Sequence, residues 1–511
     1  MYKQFIGKTF WIVLGAHAVI FLLAALVFQS PISIILLTAI MIATFVMSLH
    51  KLEFGLVIVF AELMANSHGH LISVSIDGFP LSLRMGIFIS VMCAWLVLIL
   101  RKKVKISLSD QRLWPFAILG VIVAIGLMNG FLQNDALLVF QDGNAYFYLA
   151  YIFPILSVQW TVLNKRMLLQ TLSASVFWVI LLSLGLLFLY THLNEVILLD
   201  AYTFIRDTRT GEITRMEGGF YRVFMQSQFW AFVFAFLLAT YFWVKGVGKK
   251  DWRFPTMAFA ICCSVILISL SRSFWAGSII ASLTFLGLIF SYTKCSLKKV
   301  GAAIGMTVFG KIFAFVLLLV VVLFPFPRQG ELIGLSDITS RTGIDDVAVS
   351  SRWNLLDPMF ESIGQSPIIG HGFGEEIEFI TDDPRVREQN PSGKQKTHAF
   401  EWGWLELVVK MGLLAPLAFI YLFVSSFLGL QPLLSDKRSW LGIGLITGLV
   451  MIYVTHIFSP YLNHPIGLGY LLFLVPFFES RKPLKMKVTV KDILVQQKTA
   501  TQPKAAVLSR K

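Results

Sequence analysis

The sequence predicts an all-α, polytopic integral membrane protein, and three observations carry that prediction. Of its 511 residues, 56% are hydrophobic and only 14% charged, whereas soluble domains carry about 25% charged residues. Mean hydropathy is +0.74. Apolar runs of roughly 20 residues, the length needed to cross the hydrocarbon core, recur along most of the chain.

The runs fall at residues 10–29, 31–49, 53–68, 82–100, 111–129, 143–160, 168–190, 226–244, 255–270, 274–292, 303–325, 403–428, 439–457 and 464–479, about fourteen transmembrane helices. The third is short and contains Glu62, and the sixth has a polar start. Both are expected to be partly re-entrant, which makes twelve the alternative count. The first run is longer than the apolar core of a cleavable signal and leads almost directly into the second, so it is expected to stay as a helix.

Charge gives an independent test of the count. The net charge is +14, and the basic residues crowd into every second connection: Lys3 and Lys8; Lys51; Arg101, Lys102, Lys103, Lys105 and Arg112; Lys165 and Arg166; Lys249, Lys250 and Arg253; Lys294, Lys298 and Lys299; Lys437 and Arg438; and the tail from Arg481. Basic residues in short loops stay cytoplasmic. Both termini are therefore expected inside, with residues 69–81, 130–142, 191–225, 271–273, 326–402 and 458–463 outside. This pattern accounts for the basic total without a nucleic-acid partner.

The expected organisation is eleven membrane helices in residues 1–325, a large extracytoplasmic loop at 326–402, three helices in 403–480, and a basic, disordered cytoplasmic tail at 481–511. Cys93, Cys262, Cys263 and Cys295 lie in or beside apolar runs without metal-ligand spacing, so neither a metal site nor a disulfide framework is expected. The sequence has no clear internal repeat of the kind that builds two-halved transporters.

The long loop is not low-complexity, and connections of that length are usually functional or disordered. Ser350 or Ser351 is expected to cap a helix carrying Trp353, Leu356, Phe360 and Ile363, kinked or started by Pro358, and amphipathic at the bilayer surface. Residues 366–374 hold Gly370, Gly372 and Gly374 around His371. They fit either an anion-binding nest of backbone N–H groups or tight turns that need positive φ. On a helix, His398, Glu401, Trp402 and Leu405 would share one face at the mouth of the twelfth span.

From residue 222 to 479 the order of these features resembles the O-antigen ligases and the Wzy-type O-antigen and exopolysaccharide polymerases. The resemblance rests on an outside arginine before a span (Arg222, with Arg215 as a rival), Ser271 and Arg272 between two helices, Arg352 followed by Trp353, the run 366–374, and His398 before the span that reaches Gly412. It implies a GT-C-like, membrane-embedded, inverting glycosyltransferase of the bacterial inner membrane, without metal or cofactor, whose active face is extracytoplasmic. The implied substrates are a polyprenyl-pyrophosphate-linked oligosaccharide donor and a glycan acceptor. Membrane lipids, a chain-length regulator and a flippase are the further implied partners. Polymerisation of repeat units is the first expectation and ligation to a lipid A-core acceptor the alternative; a polysaccharide flippase or transporter is the alternative of another class.

A diphosphate leaving group needs fixed positive charge, and guanidinium forks match phosphate oxygens. Arg222, Arg272 and Arg352 are the expected donor-binding residues, with Arg215 and Arg341 behind them. His398 is the expected base. Glu401 is its rival, because many family members place His-Asn ahead of an aromatic-Leu pair, and here Trp404 and Leu405 put Glu401 at that histidine position. Trp402, Trp404, His456 and His464 are expected glycan or lipid contacts, and His371 is expected to pack within its turn.

Overall fold

A computed structural model describes residues 2–479 apart from 77–78, 106–107, 195, 246–252, 294–296, 335–346 and 436–437. The chain opens with a short helix α1 (Tyr2–Phe5), two long apolar helices, α2 (Lys8–Leu26) and α3 (Ile32–His50), and a shorter one, α4 (Leu52–Ala65). A hairpin of β1 (Ser73–Ile76) and β2 (Phe79–Ser82) leads into α5 (Leu83–Leu100) and α6 (Trp114–Gln133). Next come α7 (Ala136–Gly143), a 3-10 stretch (Asn144–Tyr151), α8 (Ile152–Ser157) and the 31-residue α9 (Val162–His192).

Helix α10 (Leu199–Asp207) and the hairpin of β3 (Glu212–Arg215) with β4 (Tyr221–Phe224) precede α11 (Phe229–Lys245), α12 (Arg253–Ser269), α13 (Arg272–Tyr292) and α14 (Leu297–Leu323). The long connection holds α15 (Val347–Asn354), α16 (Leu356–Gln365), β5 (Ile377–Ile380), α17 (Pro384–Gln389) and β6 (Lys394–Thr397). The chain then forms α18 (Gly403–Met411), α19 (Leu414–Leu434), α20 (Ser439–Phe458) and α21 (Pro465–Leu474).

Among the described residues nine helices are long and apolar enough to cross a bilayer, and three further apolar helices are shorter, within α12, within α14 and at 465–477. This is an all-α, multi-pass membrane protein. The two remaining runs are the two singled out above. Helix α4 has 14 residues, about 21 Å at 1.5 Å per residue, against a core of about 30 Å. The sixth run follows α7 and is broken into the 3-10 stretch and the six-residue α8. Outer helices such as α2 and α3 expose Trp11, Leu22, Ile35 and Val46, as lipid-facing helices do, while α20 is buried on nearly every side. Gly277 of α13 lets that helix approach Met451 and Thr455 of α20 closely.

Direct contacts gather the connections expected outside at one end of the bundle. Ser67 Oγ donates to Thr210 O (2.8 Å), and Gln329 N to Thr191 O (2.7 Å). Asn129 Nδ2 donates to Gly370 O at 2.9 Å, and Ser459 Oγ to Ser273 Oγ at 3.1 Å.

Two expectations are corrected, and of the two alternatives at Pro358 the structure shows a helix start. The twelfth run is two helices, because Gly412 ends α18 at φ 69° and Leu413 N turns to Pro367 O (2.9 Å). A Cβ at Gly412 would overlap the Ile368 carbonyl, so only glycine fits this crossing of backbones. In the loop, Ser350 and Ser351 lie inside α15 rather than capping it, and Ser351 Oγ meets Thr381 Oγ1 at 2.5 Å. Pro358 sits in the first turn of the separate helix α16, where its missing N–H has no helical partner to lose. The loop packs a small core of Leu355, Met359, Ile377 and Phe400 against Val409 of α18.

Candidate functional site

The glycine run is a clamp, and its N–H groups are not available as an anion nest. Gly370 N donates to Ser366 O, His371 N to Val409 O, Gly372 N to Lys410 O and Phe373 N to Gly126 O. Gly374 N donates to Asp142 Oδ2 at 2.9 Å. Gly372, at φ 88°, lies against the backbone of Gly130, where any Cβ would collide. His371 packs in the turn as expected, its Nε2 at 2.8 Å from Ser362 O. The run therefore staples the loop to α6, α7 and α18.

Beside this clamp lies a cavity of about 610 Å³, within the usual range for small-ligand sites. It occupies the space that the short α4 and the broken sixth run leave unfilled: Ser67 and His68 follow α4, Asp142 stands at the end of α7 just before the sixth run, and residues 144–148 come from that run. His398, Arg84, Lys410 and His464 complete the walls that matter below.

Two buried ion-pair clusters stand in these walls. Arg84 Nε and Nη2 donate to the Glu62 carboxylate at 2.9 and 3.2 Å, and its other contacts go to the carbonyls of Asn66 (2.6 Å) and Ser67 (3.3 Å). Lys410 Nζ, 2% exposed, meets Asp142 Oδ1 and Glu406 Oε1, each at 2.5 Å. Burial first, and then neighbouring positive charge, lowers the His68 and His70 pKa values to about 4. Burial also lowers that of His464 to about 3. All three imidazoles are neutral at pH 7.

The arginines singled out in the sequence stand on a rim next to the cavity. Arg222, on β4, donates from Nε to Ser269 O (2.8 Å), the last residue of α12, and so reaches the turn from which Arg272 starts α13. In that turn Leu270 is held at φ 44°, a left-handed conformation that costs a bulky residue about 1–3 kcal/mol and that clusters at functional sites. Three residues further on, Ser273 meets Ser459, the neighbour of the cavity-lining Pro460. Arg352 joins the same end through Glu401, its ion-pair partner, and through Trp402, whose Nε1 donates to Arg352 O at 2.9 Å. Trp402 packs in turn on Phe458 at the end of α20.

The hairpin register separates Arg222 from its rival. Arg222 pairs with Thr214 and Arg215 with Tyr221, so the two arginines project from opposite faces of the ribbon. Arg222 faces Ser269, whereas exposed Arg215 lies over the Tyr221 ring at 5.7 Å. Arg341 lies outside the described residues.

The expected helical face of His398, Glu401, Trp402 and Leu405 does not form, because α18 begins only at Gly403. His398 instead follows β6 and lines the cavity, while Glu401 turns to Arg352. Trp404 packs on His456 and Tyr453. His456 is fully buried, with Nδ1 accepting from Leu462 N at 3.2 Å. His464 lies near His68, with ring centroids 6.4 Å apart, at the cavity.

Fold and site together define a multi-pass membrane protein with a polar cavity and an arginine rim at one end of its helices. Residues 257–420 match the family model Wzy_C, described as O-Antigen ligase. Over that segment the chain is similar to O-antigen ligases, which supports a function of the glycan ligase or polymerase type. The matched segment holds Arg272, Arg352, His398 and the glycine clamp; Arg222, Arg84 and His464 lie outside it. No curated protein and no solved structure matches the chain.

Proposed function

We propose that this protein transfers a glycan from a polyprenyl diphosphate to a sugar hydroxyl at the rim and cavity just described, on the extracytoplasmic face of the bacterial inner membrane. The observation that carries the reading is the bond from Arg222 to Ser269, which brings one guanidinium to the turn that launches Arg272. In this reading Arg222, Arg272 and Arg352 grip the diphosphate. Their carboxylate partners are partly solvated, with Glu401 and Glu212 side chains 52% and 69% exposed. Such surface pairs are worth about 0–1 kcal/mol and a diphosphate can displace them.

The acceptor oxygen attacks the anomeric carbon from the face opposite the diphosphate, the glycosidic C–O bond breaks with its electron pair passing to the diphosphate, and configuration inverts. His398 takes the acceptor proton, and the guanidinium groups offset the charge that develops on the leaving group. The cavity position of His398, against the engagement of Glu401 with Arg352, favours the histidine as base. The buried ionisable groups that a transporter would use to line a route are closed into pairs here, which favours a transfer site.

Polymerisation of repeat units is the finer reading, supported by a helical scaffold larger than a compact ligase needs; the description of the matching model keeps ligation as the second reading. Purified protein given a lipid-linked oligosaccharide alone extends the chain if it is a polymerase, and reacts only once a lipid A-core acceptor is added if it is a ligase. Full transfer by Arg272→Ala at normal protein level overturns the site. A reporter-fusion map checks the expected orientation, with both termini cytoplasmic.

A further inference from the structure

His398 stands on a short arch between two fixed points. On one side Thr397 ends β6 and pairs with Ile377, which is buried in the small core beneath the loop. On the other side Phe400, 1% exposed, packs in the same core, and Lys410 Nζ lies 5.3 Å from the centre of its ring. Lys410 is itself fixed by Asp142 and Glu406. Only His398 and Ala399 lie between these points, and both line the cavity.

The Thr397 hydroxyl closes the arch. Its Oγ1 accepts from Ala399 N at 3.2 Å and donates to Ala399 O at 3.1 Å. One side chain thus holds the peptide planes on both sides of Ala399, the first of which carries the His398 carbonyl. A threonine hydroxyl that bonds the backbone two residues on makes a local turn and competes with helix, in keeping with a helix that waits until Gly403.

The hold matters because of what the transfer reading asks of Glu401, three residues after His398. Glu401 gives up Arg352 when the diphosphate arrives. With Phe400 anchored and the arch closed, that exchange is not passed back to the imidazole. A base has to stay within hydrogen-bond reach of the hydroxyl it deprotonates, and a displacement of about 1 Å can cost about 100-fold in rate.

We propose that Thr397 is a positioning residue, whose hydroxyl holds His398 in place for the acceptor hydroxyl while Glu401 exchanges with the donor. The inference rests on the transfer reading above and adds the group that fixes its base. Thr397→Val keeps the shape and strand preference of the side chain and removes the hydroxyl, whereas Thr397→Ser keeps the hydroxyl. The half-buried position of Thr397 lets both variants fold. Purified protein is assayed with a membrane-extracted polyprenyl-diphosphate oligosaccharide as donor and with the acceptor that supports wild-type transfer, a second lipid-linked oligosaccharide or lipid A-core.

Thr397→Val is expected to lower kcat about tenfold with the donor KM and the thermal midpoint unchanged, and Thr397→Ser to restore most of the loss. In a His398→Ala background Thr397→Val is expected to lower the residual rate no further, because residues that act as a unit are not additive. Full kcat in Thr397→Val, an equal loss in Thr397→Ser, or a further tenfold loss in the His398→Ala background overturns the inference. The single variants decide even where His398→Ala leaves no measurable rate. Full transfer by His398→Ala removes the base from the transfer reading, and this inference with it; an inactive His398→Ala beside a fully active Thr397→Val defeats this inference alone.

Discussion

The rim and the cavity wall both pair cations with carboxylates, but solvent makes the two sets of pairs opposite in use. On the rim, the Arg352 side chain is 33% exposed and its partner Glu401 52%, and Arg222 stands 3.7 Å from a Glu212 that is 69% exposed. In the wall, the partners Lys410, Asp142 and Glu406 are 2%, 10% and 6% exposed. Exposed pairs release their arginines to an arriving ligand at little cost, whereas buried pairs are held by the absence of anything to replace them. In the proposed reading the diphosphate takes the exposed pairs of the rim, and the buried Lys410 and Arg84 pairs of the wall serve as architecture.

The largest expected effect sharpens that contrast. Lys410→Met leaves Asp142 and Glu406 facing each other without water, and should destabilise the protein by about 3–5 kcal/mol. Arg352→Ala should cost at most about 1 kcal/mol. Thermal midpoints in detergent, with folded yield, check both, and equal losses would break the comparison. Activity should reverse the order. Arg222→Ala and Arg272→Ala are expected to lower transfer by about 100-fold or more, as loss of a group that stabilises developing charge does. Arg215→Ala, on the other face of the hairpin, should leave transfer near wild type. A comparable loss for Arg215→Ala would mean that the β3–β4 register does not decide which guanidinium meets the donor.

A smaller effect probes the clamp that joins the two regions. Alanine at Gly412 must adopt positive φ and displace the Ile368 carbonyl, which should cost about 1–3 kcal/mol. It should also separate α18 from the glycine run, readable as faster proteolysis of the 326–402 loop. An unchanged midpoint and digestion pattern would show that the crossing relaxes.

Residue chemistry made part of this legible and spatial context hid the rest. Hydropathy and alternating basic loops were enough for an all-α membrane protein, because lipid imposes one rule on every span. The two doubtful runs, marked by Glu62 and by a polar start, are the two that stop short, and the cavity lies in the gap they leave. The rim arginines were visible because they flank spans. Lys410, Glu406, Arg84 and Asp142 were missed, although Glu406 and Lys410 stand four apart inside an apolar run, a spacing that signals a pair on one helix face. Asp142 comes from 268 positions away, a distance no local pattern reveals. The helical face proposed for His398 and Glu401 failed for a similar reason: β6 pairs with β5 up to Thr397 and delays the helix until Gly403.

The smallest effect expected is in pH, and it tests whether the cavity wall is as dry as its ion pairs require. Burial holds His68 and His70 near a pKa of about 4 and His464 near about 3, against 6.5 in the unfolded chain. Below about pH 6.5 the unfolded chain therefore takes up protons that the folded one refuses, so stability falls as pH drops from about 6.5 towards 4. The contribution is fully present above that window. Thermal midpoints measured between about pH 7 and pH 4.5 should decline, and His68→Gln together with His464→Gln should flatten the decline. The rim offers no such signature, since its arginines stay charged throughout the range. A midpoint that does not move between those pH values would mean that water reaches the histidines. The wall pairs would then be solvated like those on the rim, and the distinction between a displaceable rim and a fixed wall would collapse.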